Sequence, residues 1–310
     1  MDHPLARDPM RQSLTRVLAI ANGKGGVGKT SLSTHIAALT AQRGGRVLLV
    51  DLDPQGNCGR DLGYIAAGLS DAGAGLTRAV QFPDQETVMV LRDVRPGLDV
   101  IPGGEHLDDL NSIMGGRQLN HGQLASLALA RTLAPIAGDG YSLVVLDCPP
   151  RHPVLQTAAL AMARWLLIPT KTDQASLDGL GEIARKFGEA RQVNRDLDVL
   201  GVVLFGVTPA AKKIRAAAIS WVTEALDGQA PILKATIRHV ESPAFHIRNT
   251  GMLAHELELG PEAGVTAAMV KAMKGLADDY ALVAAEALGL LLTGEAAAPA
   301  GGAAHDEAVA

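Results

Sequence analysis

Four glycines and two lysines fall within eight consecutive residues, Gly23-Lys24-Gly25-Gly26-Val27-Gly28-Lys29-Thr30. The run satisfies GxxxxGK(S/T), the pattern of a loop that cradles nucleotide phosphates. Glycine lets the backbone curl so that successive N–H groups face phosphate oxygens, and the following helix adds its N-terminus to the same anion. Gly25, Gly26, Val27, Gly28, Lys29, Thr30 and Ser31 are therefore the expected cofactor-binding residues. Lys29 is expected to reach the β- and γ-phosphates of ATP, and the Thr30 hydroxyl to ligate Mg2+. Lys24 is surplus to that scheme; taken alone it reads as a solvated loop lysine.

Acids follow two apolar runs. Asp51 ends RVLLV, with Asp53 two residues on, and Asp147 ends SLVVL. A carboxylate at the end of a buried strand suits a Mg2+ site, and it equally suits a helix cap. Cys58 and Cys148, with no CxxC, argue against a disulfide framework, a zinc site or a cysteine-held cluster. His35, His152, His239 and His246 show no metal-ligand spacing. Trp165 and Trp221 read as core residues.

The elements that must hold these groups alternate. Val17–Ala21, Arg46–Val50, Leu98–Ile101, Ser142–Leu146, Trp165–Ile168, Val199–Val207 and Ile232–Ile237 read as strands. Ser31–Gln42, Leu124–Ile136, Leu177–Val193, Ile214–Leu226 and Ala267–Leu292 read as helices. The 310 residues are 47% hydrophobic and only 3% aromatic, so an Ala, Val, Leu and Ile core is implied. The predicted fold class is α/β, a doubly wound, mostly parallel sheet flanked by helices in a single domain over residues 16–292. A short arm (1–15) is expected before it and an Ala/Gly-rich, acidic, disordered tail (293–310) after it. Gly59–Gly97 gives no readable periodicity.

Charge is uneven. The net is −5, yet Arg185–Arg248 carries ten Lys/Arg against six Asp/Glu, and Asn249–Ala310 carries two against nine. A basic stretch inside an acidic chain fits either a solvated helix or a polyanion contact. No apolar segment of targeting or membrane-spanning length appears, which implies the cytoplasm.

Lys24–Asn57, with KGGVGKT and DLDPQGN, resembles the deviant Walker A ATPases of the ParA/Soj type in the MinD/ParA superfamily. YSLVVLDCPP (Tyr141–Pro150) and LLIPTKTDQASLDGL (Leu166–Leu180) resemble later blocks of that family, and Ala235–Phe245 weakly resembles its block near the adenine pocket. The resemblance implies a P-loop ATPase that forms a homodimer in its ATP state. Lys24 would then be the signature lysine that crosses to the partner's phosphates, joining Lys29 and Asp53 as catalytic residues. Asp53 would orient the attacking water, and Asp51 and Asp147 would lie near Mg2+, with Thr30, through waters. Lys212, Lys213 and Arg215, with Arg238, match positions implied to contact DNA non-specifically. A ParB-like or other adaptor would stimulate slow hydrolysis, with the protein in the cytoplasm on the nucleoid.

Related families are disfavoured by what this chain lacks. No Lys or Arg follows Lys274, so a basic amphipathic membrane helix of the MinD kind is not expected, and no membrane contact is implied. About sixteen residues before the first strand leave no room for a helix-turn-helix domain. Between partition of a plasmid, chromosome or protein cargo and a switch acting through a protein partner without DNA, the basic residues favour the first.

Overall fold

Strands rich in Val, Leu and Ile and buried on both faces demand helices on two sides. The computed structural model describes residues 9–83, 85–208, 212–226, 230–257 and 266–297. In chain order the elements are α1 (Pro9–Ser13), β1 (Val17–Ile20), α2 (Lys29–Gln42), β2 (Val47–Asp51), α3 (Asn57–Asp61) and α4 (Ala74–Gln81). Then come β3 (Leu91–Arg95), β4 (Leu98–Ile101), α5 (His106–His121), α6 (Leu127–Ala137), β5 (Leu143–Asp147), α7 (Pro153–Met162) and β6 (Trp165–Thr170). The chain continues through α8 (Gln174–Arg191), β7 (Asp198–Val207), α9 (Lys212–Ala225), β8 (Ile237–Arg238), α10 (Glu241–Thr250), α11 (Ala254–Leu257) and α12 (Ala267–Ala297).

Eight strands form one sheet in the order β3-β4-β2-β5-β1-β6-β7-β8. Every pair is parallel except the edge pair β3–β4. Strand alternation divides the core in two. Val17, Ala19, Leu48, Val50, Val144 and Leu146 pack with α6 and α7, including Leu129, Leu133 and Leu155. Leu18, Ile20, Val47, Leu49, Leu143 and Val145 face the other way, onto Ile36 of α2 and Tyr280, Val283 and Ala287 of α12. Each fully buried Leu or Ile of this kind contributes about 1.5–3 kcal/mol.

Several expectations change. The helix over 124–136 is a 3-10 turn, Gly122–Ser126, followed by α6. The last strand shrinks to Ile237–Arg238, with Ile232 making only an isolated bridge to Val202. Trp165 is core, but Trp221 is 43% exposed on α9. Helix α12 runs past residue 292 to Ala297, and 298–310 lie outside the described residues. Within the expected arm, residues 1–8 are likewise outside. Its end is anchored: the buried Arg11 guanidinium donates to Ala161 O at 3.1 Å and Val193 O at 2.9 Å. Among the described residues, no helix is long and apolar enough to cross a membrane.

Candidate nucleotide-binding and hydrolysis site

The carboxyl ends of β1, β2 and β5 lie side by side, with Asp51 paired to Asp147 and Ile20 to Asp147 in register. Crevices at such ends are where open α/β sheets take ligands. The loop leaving β1 curls through left-handed glycines, Gly26 at φ 72° and Gly28 at φ 90°. Gly28 is constrained twice, because a Cβ there would fall 2.2 Å from the Phe205 ring of β7. The loop delivers Lys29 and Thr30 to a cavity of about 420 Å³ lined also by Asp53, Gln55, Arg151 and His152.

Lys29 is 6% exposed, and its Nζ donates to Lys24 O at 2.7 Å. Burial lowers its pKa, opposed by the charges of Asp147 and Asp53. An amine stripped of water in this way binds an anion more strongly than a solvated one. Asp53 accepts from Gln55 N at 2.9 Å through Oδ1 and borders the same cavity.

Behind them is a buried acid cluster. Asp51 accepts from Asp53 N at 3.0 Å and Cys58 N at 3.2 Å. Asp147 takes the Cys58 thiol at 3.4 Å, lies 3.1 Å from the Ser33 hydroxyl, and is hydrogen-bonded by the Thr30 side chain. Burial raises the pKa of both acids, with the like charge of Asp147 adding to the rise at Asp51 and that of Asp53 to the rise at Asp147. Mg2+ takes hard oxygen ligands and keeps several waters. The Thr30 hydroxyl in the cavity, with the Asp147 carboxylate directly behind it, fits that demand. Asp51, like Asp147, is absent from the cavity wall, and its oxygens hold the backbone of the loop that carries Asp53. Cys148 is fully buried, as expected of a packing residue.

Lys24 is not a free loop lysine. Its Nζ bonds Asp173 Oδ1 at 2.6 Å and Ser176 Oγ at 3.3 Å, at the start of α8. Asp173 caps that helix through Ser176 N at 2.9 Å, and the Lys24 amine holds its carboxyl below the usual range. The loop's entry is fixed by a buried polar chain that sequence reading missed. Lys186 donates to Gln156 and to Glu182, Gln156 to Asn22 O and Pro149 O, and Asn22 to Pro169 O. His152, read as bland, borders the phosphate cavity with its Nε2 2.8 Å from Asp108.

A second cavity of about 240 Å³ shares Ser31 and Arg248 with the first. Phe205, Tyr280, Asp61 and Ile237 wall it. His35 stacks on Tyr280 at 3.6 Å. The His35 Nε2 accepts from Ala254 N at 3.1 Å, so Nδ1 donates to Ser31 O at 2.7 Å. Burial pushes this imidazole down to about 3, and it stays neutral. Arg238, expected as a DNA contact, also borders this cavity. Its guanidinium grips Asp279 of α12 in a fork, at 2.6 and 2.8 Å. Lys212, Lys213 and Arg215 open α9, but their side chains lie outside the described residues.

This loop, sheet and acid cluster define a P-loop nucleotide-binding fold. A family profile described as an AAA domain matches residues 15–199. The chromosome partitioning protein ParA of Caulobacter vibrioides is 36% identical over 193 residues, 61% of this chain and 68% of that one. The chromosome-partitioning ATPase Soj of Thermus thermophilus is 31% identical over 240 residues, 76% of this chain and 88% of that one. An ATP complex of McdA from Cyanothece superposes with a TM-score of 0.70 at 21% identity, covering 88% of this chain and 96% of that one. The chain belongs to the ParA/MinD-type P-loop ATPases.

Proposed function

We propose that this chain is a dimerising ATPase whose ATP-bound form binds DNA without sequence preference and partitions a plasmid, chromosome or protein cargo. The carrying observation is Lys24, a second loop lysine held at the rim of the phosphate site by Asp173. One protomer's phosphates need only Lys29, so the spare amine has its use across a dimer interface. The partition names of the relatives support the same reading.

The chemistry follows from the cavity. ATP phosphates displace the Lys24 carbonyl from the Lys29 amine, which then pairs with β- and γ-oxygens. Thr30, backed by Asp147, would hold Mg2+, which would supply charge neutralisation at the phosphate oxygens. Asp53, fixed by Gln55 N, orients a water in line with the γ-phosphorus. The water's oxygen bonds to phosphorus as the bond to the β–γ bridging oxygen breaks, and its proton leaves with the released phosphate. Lys24 of each protomer reaches the other's phosphates and offsets the charge that develops there. A ParB-like or other adaptor accelerates this slow step, and the dimer separates from DNA in the cytoplasm.

Molar mass measured by light scattering with ATP, ADP and no nucleotide tests this reading. Expected is a dimer with ATP alone, and a Lys24→Ala variant that binds ATP but remains monomeric. One mass in all three states overturns it.

A further inference from the structure

Asp61 ends α3, one turn beyond the Asp53–Asn57 loop, and is only 1% exposed. Among the described residues, neither carboxylate oxygen has a hydrogen-bond partner. The Arg248 Nε forms an ion pair with Oδ1 at 3.8 Å, too long for a hydrogen bond, so the acid has a charge partner but no hydrogen-bond donor. Buried acceptors are almost always paired, because an unpaired one carries its full desolvation cost. The exceptions cluster where a ligand completes the set. Asp61 borders the second cavity, beside the aromatic rings of Phe205 and Tyr280. That cavity joins the phosphate cavity through Ser31 and Arg248, so a nucleotide whose phosphates occupy the first extends its nucleoside into the second.

We propose that the Asp61 carboxylate is the nucleoside-specifying group of this site, accepting hydrogen bonds from donors on the sugar or base of the bound nucleotide. The proposal rests on the nucleotide-binding reading above and adds the group that selects the nucleoside. Phe205 offers flat apolar surface beside Tyr280, which is 3% exposed and stacked on His35, and neither ring face distinguishes one base from another by hydrogen bonds. A fixed carboxylate does: it rewards a ligand that presents N–H or O–H at that point and penalises one that does not, since the acid is then left buried without a hydrogen bond. Adenosine offers an exocyclic amine and two ribose hydroxyls. Guanosine adds an adjacent ring N–H, a paired-donor edge that matches a carboxylate.

The test is calorimetric titration of the wild-type chain and Asp61→Asn with diphosphates, which avoids turnover. The probes are ADP, 2′-deoxy-ADP, 3′-deoxy-ADP, purine riboside diphosphate, GDP and inorganic pyrophosphate, with thermal melting of both proteins. Expected is a loss of ADP affinity in Asp61→Asn of about tenfold or more, the size of a charge-assisted hydrogen bond. Wild type loses a like amount with the one analogue that lacks the recognised donor, and Asp61→Asn is indifferent to that deletion. Sensitivity to a deoxy sugar assigns the ribose; sensitivity to purine riboside assigns the base amine; tighter GDP than ADP binding contradicts the ATP reading on which the proposal rests. Pyrophosphate affinity is unchanged, and the melting temperature of Asp61→Asn is no lower than wild type. Equal affinities in the two proteins for every nucleotide overturn the proposal. So does a uniform loss that includes pyrophosphate, which marks a structural role. Failure of wild type to bind any nucleotide sinks the parent reading instead.

Discussion

The two adjoining cavities are built on opposite plans. The phosphate cavity comes from short contiguous runs at the ends of β1, β2 and β5, and its acids are tied into hydrogen bonds with Thr30, Ser33, Cys58 and backbone N–H groups. The second cavity gathers single residues from α3, β7, β8, α10 and α12, and it leaves Asp61 unsatisfied. Chemistry shared by the whole fold is thus written locally and is internally balanced. The residues of the second cavity are spread over distant elements, and its acid has no hydrogen-bond partner among the described residues.

The comparison breaks first at the phosphate side. Lys29→Ala is expected to lower steady-state phosphate release by about 10²–10³-fold, the size of one preorganised charge at a transition state. Because it removes an amine that burial disfavours, thermal melting of the variant should show little loss. Asp53→Ala should slow release by about 10²-fold while equilibrium ATP binding persists, which separates water orientation from cofactor grip. Loss of binding with either change in equal measure would mean the cavity's two roles are not separable.

The second cavity is sharpened by pH. Burial pushes Asp61 up to about 7, against the lowering pull of Arg248. A folded-state acid pKa above its unfolded value means the native state holds more protons between the two, so this group's contribution to stability falls as pH rises from about 4 to 7. Asp61→Asn removes that slope. Its melting temperature should exceed wild type by a few degrees at pH 8 and converge with it near pH 4. A constant difference across that range would contradict a titrating, unsatisfied acid.

Arg238→Ala tests the clamp between β8 and α12. The fork to Asp279 is half-solvated, so its removal should cost about 1 kcal/mol and a melting shift of about 2–4 °C. Gly275 permits that approach, since a Cβ there would meet the guanidinium at 2.1 Å. The smallest effect is expected at Asp173. Replacing it with alanine frees Lys24 from a partly exposed ion pair worth up to about 1 kcal/mol. ATP-driven dimerisation, followed by sedimentation, should tighten by at most about fivefold.

These contrasts explain what sequence could carry. The loop, Asp53 and Asp147 were legible because each is set by neighbours a few residues away, and the central strands because they are apolar throughout. Edge strand β3 (LRDVR) was not, since it is paired on one side only and none of its residues is buried. Helix α5 hides its buried Leu107, Leu110 and Met114 behind a Gly115–Gly116 pair. Helix α7 is nearly uniform in apolar residues and so has no periodic face to read. Asp61, Arg248 and Tyr280 meet only through tertiary packing. Arg238 has a basic character that sequence shows, but its Asp279 partner lies 41 residues away.

DNA binding by the purified chain, with ATP, ADP and no nucleotide across a salt series, tests the central reading most directly. Expected is ATP-dependent binding to unrelated duplexes that weakens with a log–log salt slope of about −3 or steeper, as several phosphate contacts require. The double variant Lys212→Ala/Lys213→Ala should lose it while still dimerising with ATP. Absence of binding in every nucleotide state at low salt, with ATP-driven dimerisation intact, contradicts partition on DNA and leaves a switch that acts through a protein partner.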